Sequence, residues 1–211
     1  INIPTGIFRG FENIGSNYGM IMAILGGDDA GGGVTWAPEV IKDAAEHGLI
    51  LGENGRLYDS KKGEVLPESL KPMPLLSNDF LAQIPEPKAK KLVPRYVARY
   101  NDLMAFAAHE PVQVIGEQGI LPDKPGFNID FLTRSPALKV SESFENSAVL
   151  MPMRGHWKLS WEGGNVVLNP GDTCLLESGF SHRIEPSVTG EASLYRILSN
   201  EDPAGPTWVD N

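Results

Sequence analysis

Leu168-Asn169-Pro170-Gly171-Asp172-Thr173-Cys174-Leu175-Leu176-Glu177-Ser178-Gly179-Phe180-Ser181-His182 sets a short apolar run between two turn signals. Asn169 to Asp172 is one turn and Ser178-Gly179 the other, so Thr173 to Leu176 reads as a strand. The same alternation extends outward. Val166 to Leu168 precedes the first turn, and His156-Trp157-Lys158-Leu159-Ser160-Trp161 leads to Gly163-Gly164. Ala148 to Met153 leads to Gly155, Phe127 to Leu132 alternates apolar with polar, Val112 to Ile115 opens the series and Leu194 to Leu198 closes it. Many short strands at close spacing, separated by Gly and Pro turns, predict an all-β antiparallel sandwich or barrel over residues 112–200.

The N-terminal half reads differently. Residues 1–27 predict strand, turn, strand, with Ile21-Met22-Ala23-Ile24-Leu25 as a buried strand, and Gly26 to Gly33, with Asp28 and Asp29, as a loop. Thr35 to Gly48 predicts a helix, with Pro38 in its first turn, an apolar stripe of Val40, Ile41, Ala44 and Ala45, and Gly48 as the stop. Short strand and turn segments follow over 49–66. Residues 67–94 carry Pro67, Pro72, Pro74, Pro85, Pro87 and Pro94 together with Lys88, Lys90 and Lys91. That proline density predicts a surface-wrapping linker with solvated lysines and one short helix near Asn78 to Ile84.

Composition narrows the classes of function. With 41% hydrophobic and 21% charged residues in 211, the chain is an ordinary globular one. Its 23 Gly and 17 Pro argue against a helical bundle. A net charge of −9 disfavours a nucleic-acid surface, which needs a basic footprint. No apolar stretch reaches the roughly 18 residues of a membrane span. The single cysteine, Cys174, cannot form an internal disulfide and fits a reducing cytoplasm. No Walker, Rossmann or zinc-finger pattern is present, and Gly31-Gly32-Gly33 alone is not a phosphate loop.

The chain also repeats itself. Gly6-Ile7-Phe8-Arg9 aligns with Gly179-Phe180-Ser181-His182, and at the same offset Ala23-Ile24-Leu25 meets Arg196-Ile197-Leu198 and Asp29 meets Asp202. After a one-residue slip Thr35-Trp36 meets Thr207-Trp208, so two of the four tryptophans fall in register. The first copy thus holds only the closing strands of a unit, and the chain starts, without Met or signal-peptide features, as if inside a domain. The expected completion is a second polypeptide, or an N-terminal fragment of the same product, pairing with residues 1–27 in an oligomeric assembly.

Gly171, Asp172, Gly179 and His182 stand at the spacing of the second motif of the cupin superfamily, G-D-x4-P-x-G-x-x-H, with Glu177 in place of the Pro. This part of the chain resembles a cupin. Pro4, Gly6 and Arg9 resemble the tail of the same motif, with Arg9 where the His would stand. The resemblance implies a two-cupin chain with a truncated first barrel. Residues 1–36 would be its last strands, 37–111 a helix and Pro-rich linker, 112–200 a complete jelly-roll barrel and 201–211 a tail.

It also implies an interior site in which cupins hold Fe, Mn, Ni or Zn. His182 matches the last metal ligand. The motif that supplies the others, G-x5-H-x-H-x3-4-E-x6-G, is degraded: Gly155 fits its closing glycine, but Ala148 falls on the Glu, and Ser141 and Ser143, or Glu142 and Phe144, on the two His. With the shorter spacing Glu142, Asn146 and His182 would face one interior and hold a divalent metal such as Fe in a loose sphere. Otherwise His182 is a hydrogen-bonded interior residue of a metal-free barrel. Arg9 either orients a substrate carboxylate or enolate or pairs with an internal acid.

Two functions follow from the resemblance. One is a metal-dependent oxygenase acting on a small aromatic or dicarbonyl compound, with His182 and Arg9 catalytic. The other is a metal-free small-molecule-binding or scaffold protein. His156 reads as core or rim, His47 as a helix-end residue, His109 as partnerless and Cys174 as a small core residue.

Overall fold

Strand β4 (Phe127–Thr133, by chain order among the strands defined below) is buried along nearly its whole length. Successive strand side chains point to opposite faces, so a strand buried on both is covered on both. The computed structural model describes residues 1–3, 7–25, 35–84, 95–122, 126–135, 138 and 141–200. Among these, 1–3, 24–25 and 95–200 form one unit and 7–23 and 35–84 another.

In the larger unit, helix α3 (Tyr100–Phe106) precedes strands β3 (Val112–Ile115), β4, β5 (Ala148–Arg154), β6 (Trp157–Trp161), β7 (Gly164–Leu168), β8 (Cys174–Leu176), β9 (Arg183–Pro186) and β10 (Ser193–Ser199). All pairings are antiparallel. One sheet has the order β3-β4-β10-β5-β8 and the other β7-β6-β9. Glu142 and His182 add an isolated bridge, each donating its N–H to the other's carbonyl at 2.7 and 2.9 Å. The mostly-β, antiparallel class read from the sequence is what the strand pairing shows.

The two sheets share a core. Leu132, Leu150, Leu176 and Leu194 from the first meet Trp157, Leu159, Leu168 and Ile184 from the second. Trp157 is wholly buried, and its indole N–H is shared between the carbonyls of Arg154 (3.1 Å) and Ser193 (3.2 Å), which removes the cost of burying a donor. On the outer side of the larger sheet Phe127, Ile129, Phe131 and Ile197 pack with Leu103 and Ala107 from α3 and its end. The Tyr100 hydroxyl meets Ser193 Oγ at 2.7 Å. The sequence reading assigned α3 to the linker; its Leu103 and Ala107, one helical turn apart, are the signal, and burial against the sheet supplies the stability that so short a helix lacks alone.

In the smaller unit, helix α1 (Pro38–Glu46) starts at its proline, and Gly48 follows it with φ +83°. Strands β1 (Leu49–Leu51) and β2 (Leu57–Asp59) form a hairpin over buried Tyr58. Helix α2 (Asn78–Leu81) is capped by Ser77 Oγ, which accepts from Phe80 N–H at 3.2 Å. These elements follow the expectation for 35–84.

Residues 7–25 do not. No strand or helix forms there, and Met20, Ile21, Met22 and Leu25 are exposed, not a buried strand. An apolar run becomes a buried strand only where neighbouring strands take its N–H and C=O groups, and no described strand pairs with residues 21–25. Pro4 and Gly6, Asp28 and Asp29, Gly31 to Gly33, Lys88, Lys90, Lys91 and the tail 201–211 lie outside the described residues. Among the described residues no helix is long and apolar enough to cross a membrane.

Gly155, between β5 and β6, has φ +66°, and a Cβ there would lie 2.6 Å from the Glu191 carbonyl oxygen and 3.1 Å from Ala192 Cβ. Gly163 has φ +87° with open space around it. Gly155→Ala is therefore expected to cost more than Gly163→Ala, which carries only the left-handed backbone penalty of about 1–2 kcal/mol. Urea unfolding of the two variants measures the difference; equal losses would mean that the close backbone approach at Gly155 contributes nothing.

Candidate functional site

Register places the interior side chains in layers. Leu132 lies opposite Leu194, Asp130 opposite Arg196 and Asn128 opposite Leu198 across β4 and β10. Alternate residues share a face, so the interior passes from an apolar floor at Leu132 and Leu194, through a charged layer, to a mouth at Asn128 and Leu198.

The charged layer is centred on Arg196, which is 8% exposed. Its Nε and Nη2 donate to Asp130 Oδ2 at 3.1 and 2.8 Å, and its Nη1 donates to Glu142 Oε2 at 2.8 Å. The guanidinium carbon lies 4.9 Å from the centroid of the Phe144 ring. One cation shared by two carboxylates leaves the layer with excess negative charge. A guanidinium suits this place because it stays protonated and forks its donors to both partners.

His182 is 2% exposed. Its Nδ1 lies 2.9 Å from the Phe180 carbonyl, which can only accept, so Nδ1 carries a proton and in the neutral ring Nε2 presents a lone pair. That Nε2 is buried with no hydrogen-bond partner. The ring lies parallel to Phe180 within 14° and is tilted against Phe144.

The three expected ligands thus separate. Glu142 and His182 are joined through their main chains, but the Glu142 carboxylate is committed to Arg196. Asn146 sits at the mouth, its Nδ2 donating to the Ser199 carbonyl at 3.1 Å. Arg9 is exposed in the smaller unit, in the stretch without regular structure. His156, His109 and His47 are exposed as well, the last with its Nδ1 2.8 Å from the Asp43 carbonyl at the end of α1. Cys174 packs at the edge of the sandwich core, and burial pushes its thiol pKa up, which suits a core residue and not a nucleophile.

Among the described residues no three His, Cys, Asp or Glu side chains converge to hold a metal ion. The donors present fit one poorly. A cation sharing the Glu142 carboxylate would approach the guanidinium, and each unit of its charge at about 4 Å meets a repulsion of about 4 kcal/mol at an effective dielectric near 20. One imidazole nitrogen and an amide oxygen remain, too few for a tight site. Asp130 and Arg196 were absent from the sequence-derived site. Their signal is a lone acid and a lone base, each at the centre of its strand.

A cleft of about 750 Å³ opens at the mouth. Gln113, Gln118, Asn128, Asn146 and Asn200 line it with side-chain amides. Glu117 and Glu145 add carboxylates, and Phe144 and Leu198 apolar surface. Gln113 Oε1 accepts from the Gln118 N–H at 2.7 Å. The side chain folds back over Gly116, where a Cβ would lie 2.5 Å from the Gln113 Cδ. The Gly179 N–H donates to the Phe144 carbonyl at 2.8 Å, so the turn after β8 holds the segment that carries the ring.

No protein-family model matches the sequence, and a comparison with curated proteins finds no match. Solved structures with a similar fold include a cupin-2 domain protein from Shewanella frigidimarina, at 14% identity and a TM-score of 0.38, covering 49% of this chain and 94% of that one. A cupin superfamily protein from Desulfitobacterium hafniense matches at 11% identity and a TM-score of 0.35, covering 44% of this chain and 81% of that one. The iron(II) form of HppE matches at 17% identity and a TM-score of 0.31; 35% of this chain spans 43% of it.

Arg196→Leu is expected to destabilise the larger unit by about 3–5 kcal/mol, because Asp130 and Glu142 would remain without their cation. Arg196→Lys keeps the charge without the fork and should cost less. Denaturant unfolding followed by Trp157 fluorescence measures both, and a Leu variant as stable as the parent would remove Arg196 from the centre of this description.

Proposed function

We propose that residues 112–200 form a cupin-type binding domain for a small organic molecule, with the ligand in the mouth cleft and no metal in its chemistry. The observation that carries this reading is the Arg196 guanidinium bonded to Asp130 and Glu142. A permanent cation stands among the interior acids and neutralises the carboxylate on which a divalent ion would depend. Above it lies a concave cleft, the usual shape of a small-ligand site, with a lining more polar than such sites commonly have.

A second reading, metal-dependent oxygen chemistry on a small aromatic or dicarbonyl compound, has one feature in its favour. His182 Nε2 is a buried lone pair with no partner, which a metal ion or a ligand donor would satisfy. Metal analysis of the protein, with thermal unfolding before and after EDTA, separates the two. The binding reading expects well under one equivalent of Fe, Mn, Ni or Zn, a Tm that EDTA leaves unchanged, and His182→Ala altering stability or ligand affinity with no change in metal content. Stoichiometric, chelator-resistant metal that disappears in His182→Ala would overturn it and favour the oxygenase.

A further inference from the structure

The cleft's inventory is specific in chemical type. Five side-chain amides and two carboxylates line it, and no Lys, Arg or His does. Each amide carries both a donor and an acceptor, whereas a carboxylate is acceptor-only. Two of the amides are held by main-chain partners. The Gln118 N–H fixes the carbonyl end of Gln113, which leaves the Gln113 NH2 free to donate. The Ser199 carbonyl fixes the NH2 end of Asn146, which leaves the Asn146 Oδ1 free to accept. Donors and acceptors fixed before binding lose little freedom on binding.

From this we infer that the cleft takes a neutral, hydroxyl-rich molecule, a monosaccharide, short oligosaccharide or cyclic polyol; the inference rests on the small-molecule-binding reading above. A hydroxyl donates one hydrogen bond and accepts others, so neighbouring hydroxyls match planar amides and carboxylates two at a time. The apolar C–H face of a sugar ring suits Phe144 and Leu198. Other ligand classes match less well. A carboxylate or phosphate ligand brings acceptors only, to a cleft with Glu117 and Glu145 in its wall and an acid-rich layer beneath. An ammonium ligand brings donors only and leaves the Gln113 NH2 unmet, which is costly once water is displaced.

The test is a two-dimensional 15N-amide NMR titration of the full chain with glucose, maltose and myo-inositol, and separately with benzoate and putrescine. The expected result is saturable shifts in the side-chain NH2 signals of Gln113, Asn128 and Asn146 with at least one of the hydroxylated probes, and none with benzoate or putrescine. Gln118→Ala and Asn128→Ala, each shown by its spectrum to be folded, should weaken that binding about tenfold, the loss of roughly one well-made hydrogen bond. Benzoate or putrescine shifting these signals while the hydroxylated probes do not would overturn the ligand class and leave the binding reading standing. Silence from every probe would also overturn the ligand class. Silence together with stoichiometric metal bound through His182 would overturn the binding reading as well.

Discussion

Arg196 holds together three parts of the chain that no turn connects. Its guanidinium reaches Asp130 on β4 and Glu142 on the segment before β5, from a position in the middle of β10. Burying these charges is expensive, and the fold meets that cost by bonding the guanidinium to two carboxylates and by laying Phe144 against it. The layers on either side follow from this one. The leucines on one side close the sandwich, and on the other the polar residues remain open to solvent because the carboxylates need a wet, amide-rich neighbourhood and not a second apolar cap.

The same layer separates two kinds of chemistry that the histidine alone would leave undecided. His182 occupies the interior with a free lone pair. In a pocket of further histidines and acids that lone pair would be one metal ligand of several. Beside an arginine that claims Glu142, it is a single acceptor between two phenylalanines. In the proposed reading, residue type at one position thus decides what the interior can hold, and a fold by itself does not.

The sequence made the sandwich legible because each strand is short and ends in a turn residue. Pro170-Gly171, Gly163-Gly164 and Ser178-Gly179 mark strand ends with little ambiguity. The resemblance carried by Gly171, Gly179 and His182 implied an interior position for His182, and the residue is buried. Arg196 was not, because its strand reads as an apolar run and the match to Asp130 depends on a register formed between distant segments. Helix α3 escaped because it is short and lies beside proline-rich sequence. Residues 21–25 misled for the opposite reason: their apolarity is real, but a strand also requires partners, and a one-dimensional pattern does not reveal whether they exist.

The order of strands in the larger sheet bears on how the chain is made. β10 is the last of the described strands in chain order, yet it lies between β4 and β5 and pairs with both. Until residue 199 is available, β4 and β5 have no common neighbour, Asp130 lacks its cation, and the Tyr100 hydroxyl of α3 lacks Ser193. The sheet therefore closes late, in one long-range step, and an incomplete nascent chain carries open strand edges. A ribosome-bound chain would depend on its environment to keep those edges apart until β10 arrives.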